Sequence, residues 1–308
     1  MKYIYLSAVG LLFVGTAFAQ GPPGTNPYNE SVIEAKGGNT GTITQTIGVG
    51  VANYSDLYQS NHTNTVAYRN NAVVNQEGGN NSFVWQQGRE HEVTVNQIGG
   101  AAGMRQISDV KQLGSQNNAN VLQIGLANES DIDQVLWGAV DYINEAIVVQ
   151  GMRGPGPSSE NKSVIDQRSD GNKSTHLQDG VGNSATAVQA SSVMTVPVIG
   201  VVLQTVLTDQ EGDRNFANVN QTGDNNYSTI EQDAGFGGGV GMGLFTNEAT
   251  VMQSGDLNTA IITQGDMGAP NADNTLTLTQ TNLVGGNGNT FGMTQSGSST
   301  LTATQINN

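Results

Sequence analysis

Residues 215–232 read NFANVNQTGDNNYSTIEQ, and the rest of the chain is built from variations on them. Asn215 and Gln221 stand six residues apart, the four residues TGDN follow, and Asn226 and Gln232 repeat the spacing. Alternate residues of a strand share one face, so Asn215, Ala217, Val219 and Gln221 would line one side together. Asn226, Ser228, Ile230 and Gln232 would do the same. The stretch therefore reads as strand, turn, strand, each buried row carrying an amide at both ends.

Outward from this stretch the same frame recurs in both directions. Towards the N-terminus it runs through Asn39–Gln45, Asn53–Gln59, Asn70–Gln76, Asn80–Gln86, His91–Gln97, Gln106–Gln112, Asn117–Gln123 and Asn128–Gln134. It continues with Asn144–Gln150, Asn161–Gln167, Asn172–Gln178 and Asn183–Gln189, and with a weak member, Gln204–Gln210, after the apolar run VMTVPVIGVVL. Beyond the central stretch come Asn247–Gln253, Asn258–Gln264, Asn274–Gln280, Asn289–Gln295 and Ser299–Gln305. About twenty strands follow, and an internal repeat of this kind decides the architecture before anything else. Many connections follow Gln-x-Gly-x-x-Asn, as after Gln112, Gln123, Gln178, Gln210, Gln221 and Gln253. The Gly supplies backbone angles a tight turn needs. Longer Gly-rich connections near residue 100, at 151–160 and at 233–246 read as surface excursions.

Charge placement gives the frame an inside. Inward positions hold Asn, a small residue, an aliphatic residue and Gln, as in Asn117, Ala119, Val121, Gln123 or Asn258, Ala260, Ile262, Gln264. Charged residues such as Asp131, Asp133, Arg214 and Glu231 fall on the alternate positions or in turns. A unit of about 22 residues cannot bury its apolar row alone, but units stacked at the ~4.8 Å spacing of paired strands can. Equivalent Asn and Gln side chains then lie over one another and hydrogen-bond along the stack. An unpaired buried amide costs on the order of 1–3 kcal/mol, so the column fixes the register. The expected fold is all-β: a solenoid of about ten rungs, roughly 50 Å long.

The chain begins with MKYIYLSAVGLLFVGTAFA, which carries the marks of a secretory signal peptide at residues 1–19. Residues 20–38 hold three Pro and no strand period and read as a flexible leader; the solenoid is expected over 39–308. Cysteine is absent, so disulfides cannot hold the exported chain together. The net charge of −15 disfavours nucleic acid, which needs clustered Lys and Arg.

The combined pattern resembles the curlin repeat, Ser/Asn-x5-Gln-x-Gly-x2-Asn-x5-Gln. Asn117 through Gln134 fits it completely, as does Asn215 through Gln232. The stretches following Gln134, Gln264 and Gln280 lack the Gly. The resemblance implies a subunit of curli, the amyloid-like extracellular fibres of bacterial biofilms, here an unusually long member. It also implies export across the periplasm and through an outer-membrane pore with accessory chaperones, polymerisation with itself, and a nucleator subunit as partner. The matching residues would be the ladder: Asn70, Gln76, Asn117, Gln123, Asn128, Gln134, Asn172, Gln178, Asn183, Gln189, Asn215, Gln221, Asn226, Gln232, Asn247, Gln253, Asn258 and Gln264. Asn39 and Gln45 at one end, and Ser299 and Gln305 at the other, have no polar cap and are the expected polymerising ends.

Other chemistry finds little support. His62, His91 and His176 lack metal-ligand spacing, and His91 and His176 fall on inward positions as ladder members. GGNGNTF at 285–291 is a single imperfect match to a Ca²⁺-binding repeat. No nucleophile–base arrangement, phosphate loop or carboxylate pair recurs, so neither enzyme activity nor a cofactor is expected. The alternative is a soluble β-solenoid that binds ice or polysaccharide. Thr275, Thr277, Thr279 and Thr300, Thr302, Thr304 form two outward threonine rows near the C-terminus.

Overall fold

The computed structural model describes residues 17–19, 29–36, 39–46, 52–61, 69–99, 104–135, 143–151, 160–168, 171–190, 204–212, 214–233, 246–265, 273–282, 288–296 and 298–307. Its elements are all strands. The first eleven are β1 (Ala17–Ala19), β2 (Glu30–Lys36), β3 (Thr40–Thr46), β4 (Tyr54–Ser60), β5 (Asn71–Gly78), β6 (Asn80–Arg89), β7 (Glu92–Gly99), β8 (Gln106–Ser115), β9 (Asn118–Gly125), β10 (Glu129–Val135) and β11 (Glu145–Gln150). The remainder are β12 (Lys162–Gln167), β13 (Lys173–Gln178), β14 (Ser184–Ala190), β15 (Thr205–Glu211), β16 (Phe216–Thr222), β17 (Tyr227–Asp233), β18 (Asn247–Ser254), β19 (Thr259–Gly265), β20 (Asn274–Asn282), β21 (Thr290–Ser296) and β22 (Ser299–Asn307). Odd-numbered strands form one 11-stranded parallel sheet and even-numbered strands a second. Each strand pairs with the strand two before and two after it, which makes the chain a two-sheet β-solenoid.

Strands β3 to β22 coincide with the frames read from the sequence, including the weak member at Gln204. Register follows the frame throughout: Ala217 pairs with Ala249, Val219 with Val251 and Gln221 with Gln253. A slip of one residue would turn every buried residue outward, so the alternation fixes the pairing. The core is thin, a double row of Ala, Val, Ile and Leu between the sheets, and residues such as Val121, Ile132, Val219 and Ile262 are fully buried.

The hydrophobic core falls into two clusters, one ending at Ile165 and the other starting at Ala187. Polar residues separate them. Ser163, Ser174 and His176 are fully buried between the clusters, and Ser163 Oγ lies 2.7 Å from His176 Nδ1.

Two expectations change at the N-terminal side. Residues 30–36, assigned to the flexible leader, form β2 and pair with β4 in register. The frame there is Asn29, Ser31, Ile33, Ala35, with Ala in place of the closing Gln, which is why its period escaped notice. The even sheet therefore starts at β2, and Asn39 is not the first frame residue of the coil. Beside β3 the odd sheet carries β1, with Ala17 opposite Ile43 and Ala19 opposite Gln45.

Turn geometry shows why the motif has its form. The Gly two places after Gln adopts a positive φ, 107° at Gly223 and 90° at Gly255. A Cβ at Gly223 would lie 2.3 Å from the Gly255 carbonyl of the next rung, so stacking as well as backbone angle demands glycine. In the four-residue connections the residue just before the Asn is also left-handed: Gln116 at 55°, Ala127 at 55°, Arg214 at 59°, Asn225 at 55° and Leu257 at 61°. Most of the long Gly-rich connections, the apolar run at 193–203, His62 and residues 283–287 lie outside the described residues.

The candidate functional site: amide ladders and open ends

Each ladder glutamine sits at the end of its strand, facing inward, where the strand alternation puts it. In the odd sheet Gln45 Nε2 donates to Gln76 Oε1 at 2.8 Å, Gln76 to Gln97 at 2.8 Å and Gln97 to Gln123 at 2.8 Å. The relay continues through Gln150, Gln178, Gln210, Gln232 and Gln264 to Gln295. In the even sheet it runs from Gln59 through Gln86, Gln112, Gln134, Gln167, Gln189, Gln221, Gln253 and Gln280 to Gln305. All but Gln305 are buried.

The second Nε2 hydrogen crosses the coil. Gln59 donates to the Thr40 carbonyl and Gln76 to the Tyr54 carbonyl, each at 3.1 Å, so every glutamine ties its strand to the one before it. The contact joins the end of one strand to the start of its predecessor, so the two sheets run in opposite directions. Gln123, Gln178, Gln221 and Gln264 repeat it with the carbonyls of Ile107, Lys162, Thr205 and Glu248.

Asparagines form a second ladder of opposite sense. At many rungs the Oδ1 accepts the backbone N–H of the equivalent residue one rung on: Asn39 from Asn70, Asn183 from Asn215 and Asn226 from Asn258, at 2.8–3.0 Å. Asn215 and Asn247 accept instead from the side-chain amides of Asn247 and Asn274, and Asn117 Oδ1 is buried without a partner. Their Nδ2 groups donate to turn carbonyls, as Asn117 does to Leu113 and Asn215 to Glu211. Asn70, Asn128, Asn172 and Asn247 occupy the same buried position. Every internal ladder residue predicted from the sequence is thus brought into one of the columns. Asn29 was missed there, although its Oδ1 accepts the Asn53 N–H at 2.9 Å.

Replacements show how demanding the columns are. His91 stands in for Asn: its Nδ1 accepts the Asn117 N–H at 3.3 Å, which leaves the proton on Nε2 to donate to the Gln87 carbonyl at 3.2 Å. Burial pushes the imidazole pKa down to about 4, and that of fully buried His176 to about 3. Both rings are neutral spacers. Gln106 is one methylene too long for an asparagine site. Its Nε2 reaches two turn carbonyls, but its Oε1 and the Asn80 Oδ1 of the preceding rung are buried without partners. Ala35 supplies no amide, and Gln59 Oε1 is left unpaired above it.

The C-terminal end differs from the interior. In β22 the inward residues Leu301, Ala303 and Gln305 are only half-buried, and in β21 Phe291 and Met293 are likewise part-covered. Ser299 donates to Asn274 Oδ1 at 3.0 Å. On the outer face of the even sheet Tyr54 packs at a tilt against Phe83 and Tyr58 edge-on against Trp85, with ring centroids 5.6 and 5.5 Å apart. Asp109 and Asp131 sit one above the other in the even sheet. Burial, then the neighbouring carboxylates, raise both of their pKa values. Among the described residues no group of three His, Cys, Asp or Glu could hold a metal ion, and no helix is long and apolar enough to cross a membrane.

No curated protein and no solved structure matches the chain. Residues 205–235, which take in β15, β16 and β17, match the family model described as the curlin-associated repeat. The family match is confined to residues 205–235, and the frame, register and buried amides of that stretch recur in the strands from β3 to β22.

Proposed function

We propose that the chain is a structural subunit of an extracellular curli-type fibre, growing by head-to-tail addition of one coil to another. The observation that carries this reading is the open C-terminal end. Among the described residues Gln305 Nε2 makes one of its two donor bonds, and the core residues Leu301 and Ala303 are half-exposed with no strand paired beyond β22. An end that exposes strand edges and core invites a copy of itself. A contact between unlike ends does not close, so it yields a filament. Binding is the whole activity here, and the interior columns provide a rigid template rather than a reactive group. The bulk subunit is preferred to a nucleator. Export through the periplasm and an outer-membrane pore, with accessory chaperones and a nucleator as partners, follows from the resemblance.

The test is to dilute the processed chain from denaturant and follow Thioflavin T fluorescence with negative-stain microscopy. The expected result is unbranched filaments whose growth is seeded by preformed ends. A chain that stays monomeric for days would overturn the reading. Polysaccharide contact by the solvent-facing pairs Tyr54–Phe83 and Tyr58–Trp85 is the second reading, because flat exposed aromatic faces stack on sugar rings. Depletion of folded monomer by an insoluble glucan, lost on Trp85→Ala, would support it.

A further inference from the structure

The parity of the strands sets how two copies meet, an inference that rests on the fibre reading above. Successive strands alternate between sheets, and the uniform tie from each glutamine to the preceding strand means each strand climbs half of the ~4.8 Å rung spacing. Removing residues 1–19 takes β1 from the twenty-two strands among the described residues and leaves twenty-one, starting at β2 and ending at β22. Both of those lie in the even sheet. If a second copy stacked even sheet on even sheet, β22 would meet β2, but β21 and β3 would stand about two rung spacings apart, with one strand missing between them. A half-turn about the long axis removes the gap. It exchanges the sheets, and because they run in opposite directions it also preserves parallel pairing.

We propose that each copy joins the next with a half-turn, β22 of one pairing with β3 of the next and β21 with β2. Three independent features fit this joint. The Gln305 amide would donate to Gln45 Oε1, which no side-chain donor reaches among the described residues, so the glutamine column continues across the joint. Outward residues Thr300, Thr302 and Thr304 would lie over Thr40, Thr42 and Thr44, extending the threonine rows that β20 and β22 already share. Threonines facing one another across paired strands are favourable neighbours. Without the half-turn they would meet Glu30, Val32 and Glu34 instead. Inside the coil, large Leu301 would cover Gly41 and small Ala303 would cover Ile43. The threonine rows near the C-terminus are thus the docking edge for a second copy. The joint also requires Ala17–Ala19 to leave the edge of β3, where they pair with Ile43–Gln45.

The chain has no cysteine, so crosslinking is clean. Residues opposite one another in parallel strands are about 4.8 Å apart, inside the Cα range of a disulfide. Processed Thr302→Cys chain is mixed with processed Thr42→Cys chain, and in parallel with Val32→Cys chain. Fibres are first verified by their cross-β reflection and then oxidised. The half-turn joint predicts covalent dimers from the first mixture on the order of tenfold above the second. Thr304→Cys with Thr44→Cys, against Thr304→Cys with Glu34→Cys, repeats the comparison one outward position along. Dominant crosslinking to Val32 and Glu34, or none to either edge in verified fibres, overturns the half-turn. Failure to form fibres at all overturns the fibre reading itself.

Discussion

The interior of the coil and its C-terminal end use the same frame under opposite conditions. At Gln221 the side chain accepts from Gln189, donates to Gln253 and donates across the coil to Thr205. At Gln305 the same side chain accepts from Gln280 and donates to the Thr290 carbonyl, and among the described residues no rung lies on its far side. Buried hydrogen bonds contribute about 1 kcal/mol each when satisfied, and orphaned partners cost more. Identical residues therefore hold the molecule together in one place and leave it unfinished in the other. On the proposed fibre reading, stability and assembly are separable by position along the coil.

Breaking the interior has the largest expected effect. Gln221→Ala removes three bonds and leaves Gln189 and Gln253 with unmatched groups, a loss of about 4 kcal/mol in urea unfolding of the monomer. Gln305→Ala costs the monomer about 1 kcal/mol but slows seeded elongation more than Gln221→Ala does. Equal slowing by both would remove the distinction between template and end. Gly223→Ala combines a strained φ with a Cβ driven into the Gly255 carbonyl, and should cost about 3 kcal/mol in the same assay.

Acidification acts on the interior through its histidines. Burial depresses both imidazole pKa values, so the unfolded chain takes up the proton first. Their stabilising effect is full above about pH 6.5 and is lost as pH falls towards about 4 for His91 and about 3 for His176. Each histidine contributes a slope of about 1.4 kcal/mol per pH unit inside its window. Asp109 and Asp131 work the other way, since protonation relieves the burial of their charges and the repulsion of neighbouring carboxylates in the folded state. The variant His91→Asn with His176→Val should flatten the fall in stability measured between pH 6.5 and 4. An unchanged slope would show that neither ring is buried in its neutral form.

The smallest effect concerns the other end. Ala35→Gln would place a donor beneath Gln59 Oε1 and gain about 1 kcal/mol in monomer unfolding. It would also extend the even-sheet column by one rung.

Most of this architecture was legible because the repeat couples spacing to residue type. Even Gln204–Gln210 forms a strand, with Gln204, Val206, Thr208 and Gln210 all buried. What escaped had a physical reason in each case. Asn29–Ala35 breaks the frame at its last position, so the first strand passed for leader. The left-handed residue that closes the four-residue connections has no fixed identity, being Gln116, Ala127, Arg214 or Leu257, because the turn is imposed by the stacked rungs rather than by that side chain. The opposite senses of the two ladders are set by strand direction, which a spacing cannot encode. Parity depends on which sheet the first strand joins, so one unrecognised strand concealed how the ends fit. The threonine rows were visible in the sequence, but their place beside an edge was not.

Fibre diffraction from aligned filaments of the processed chain tests the central claim most directly. The account predicts a meridional reflection near 4.8 Å, with strands perpendicular to the filament axis and subunits repeating about every 50 Å along it. Filaments lacking that reflection, or strands running along the axis, would contradict growth by continuation of the coil.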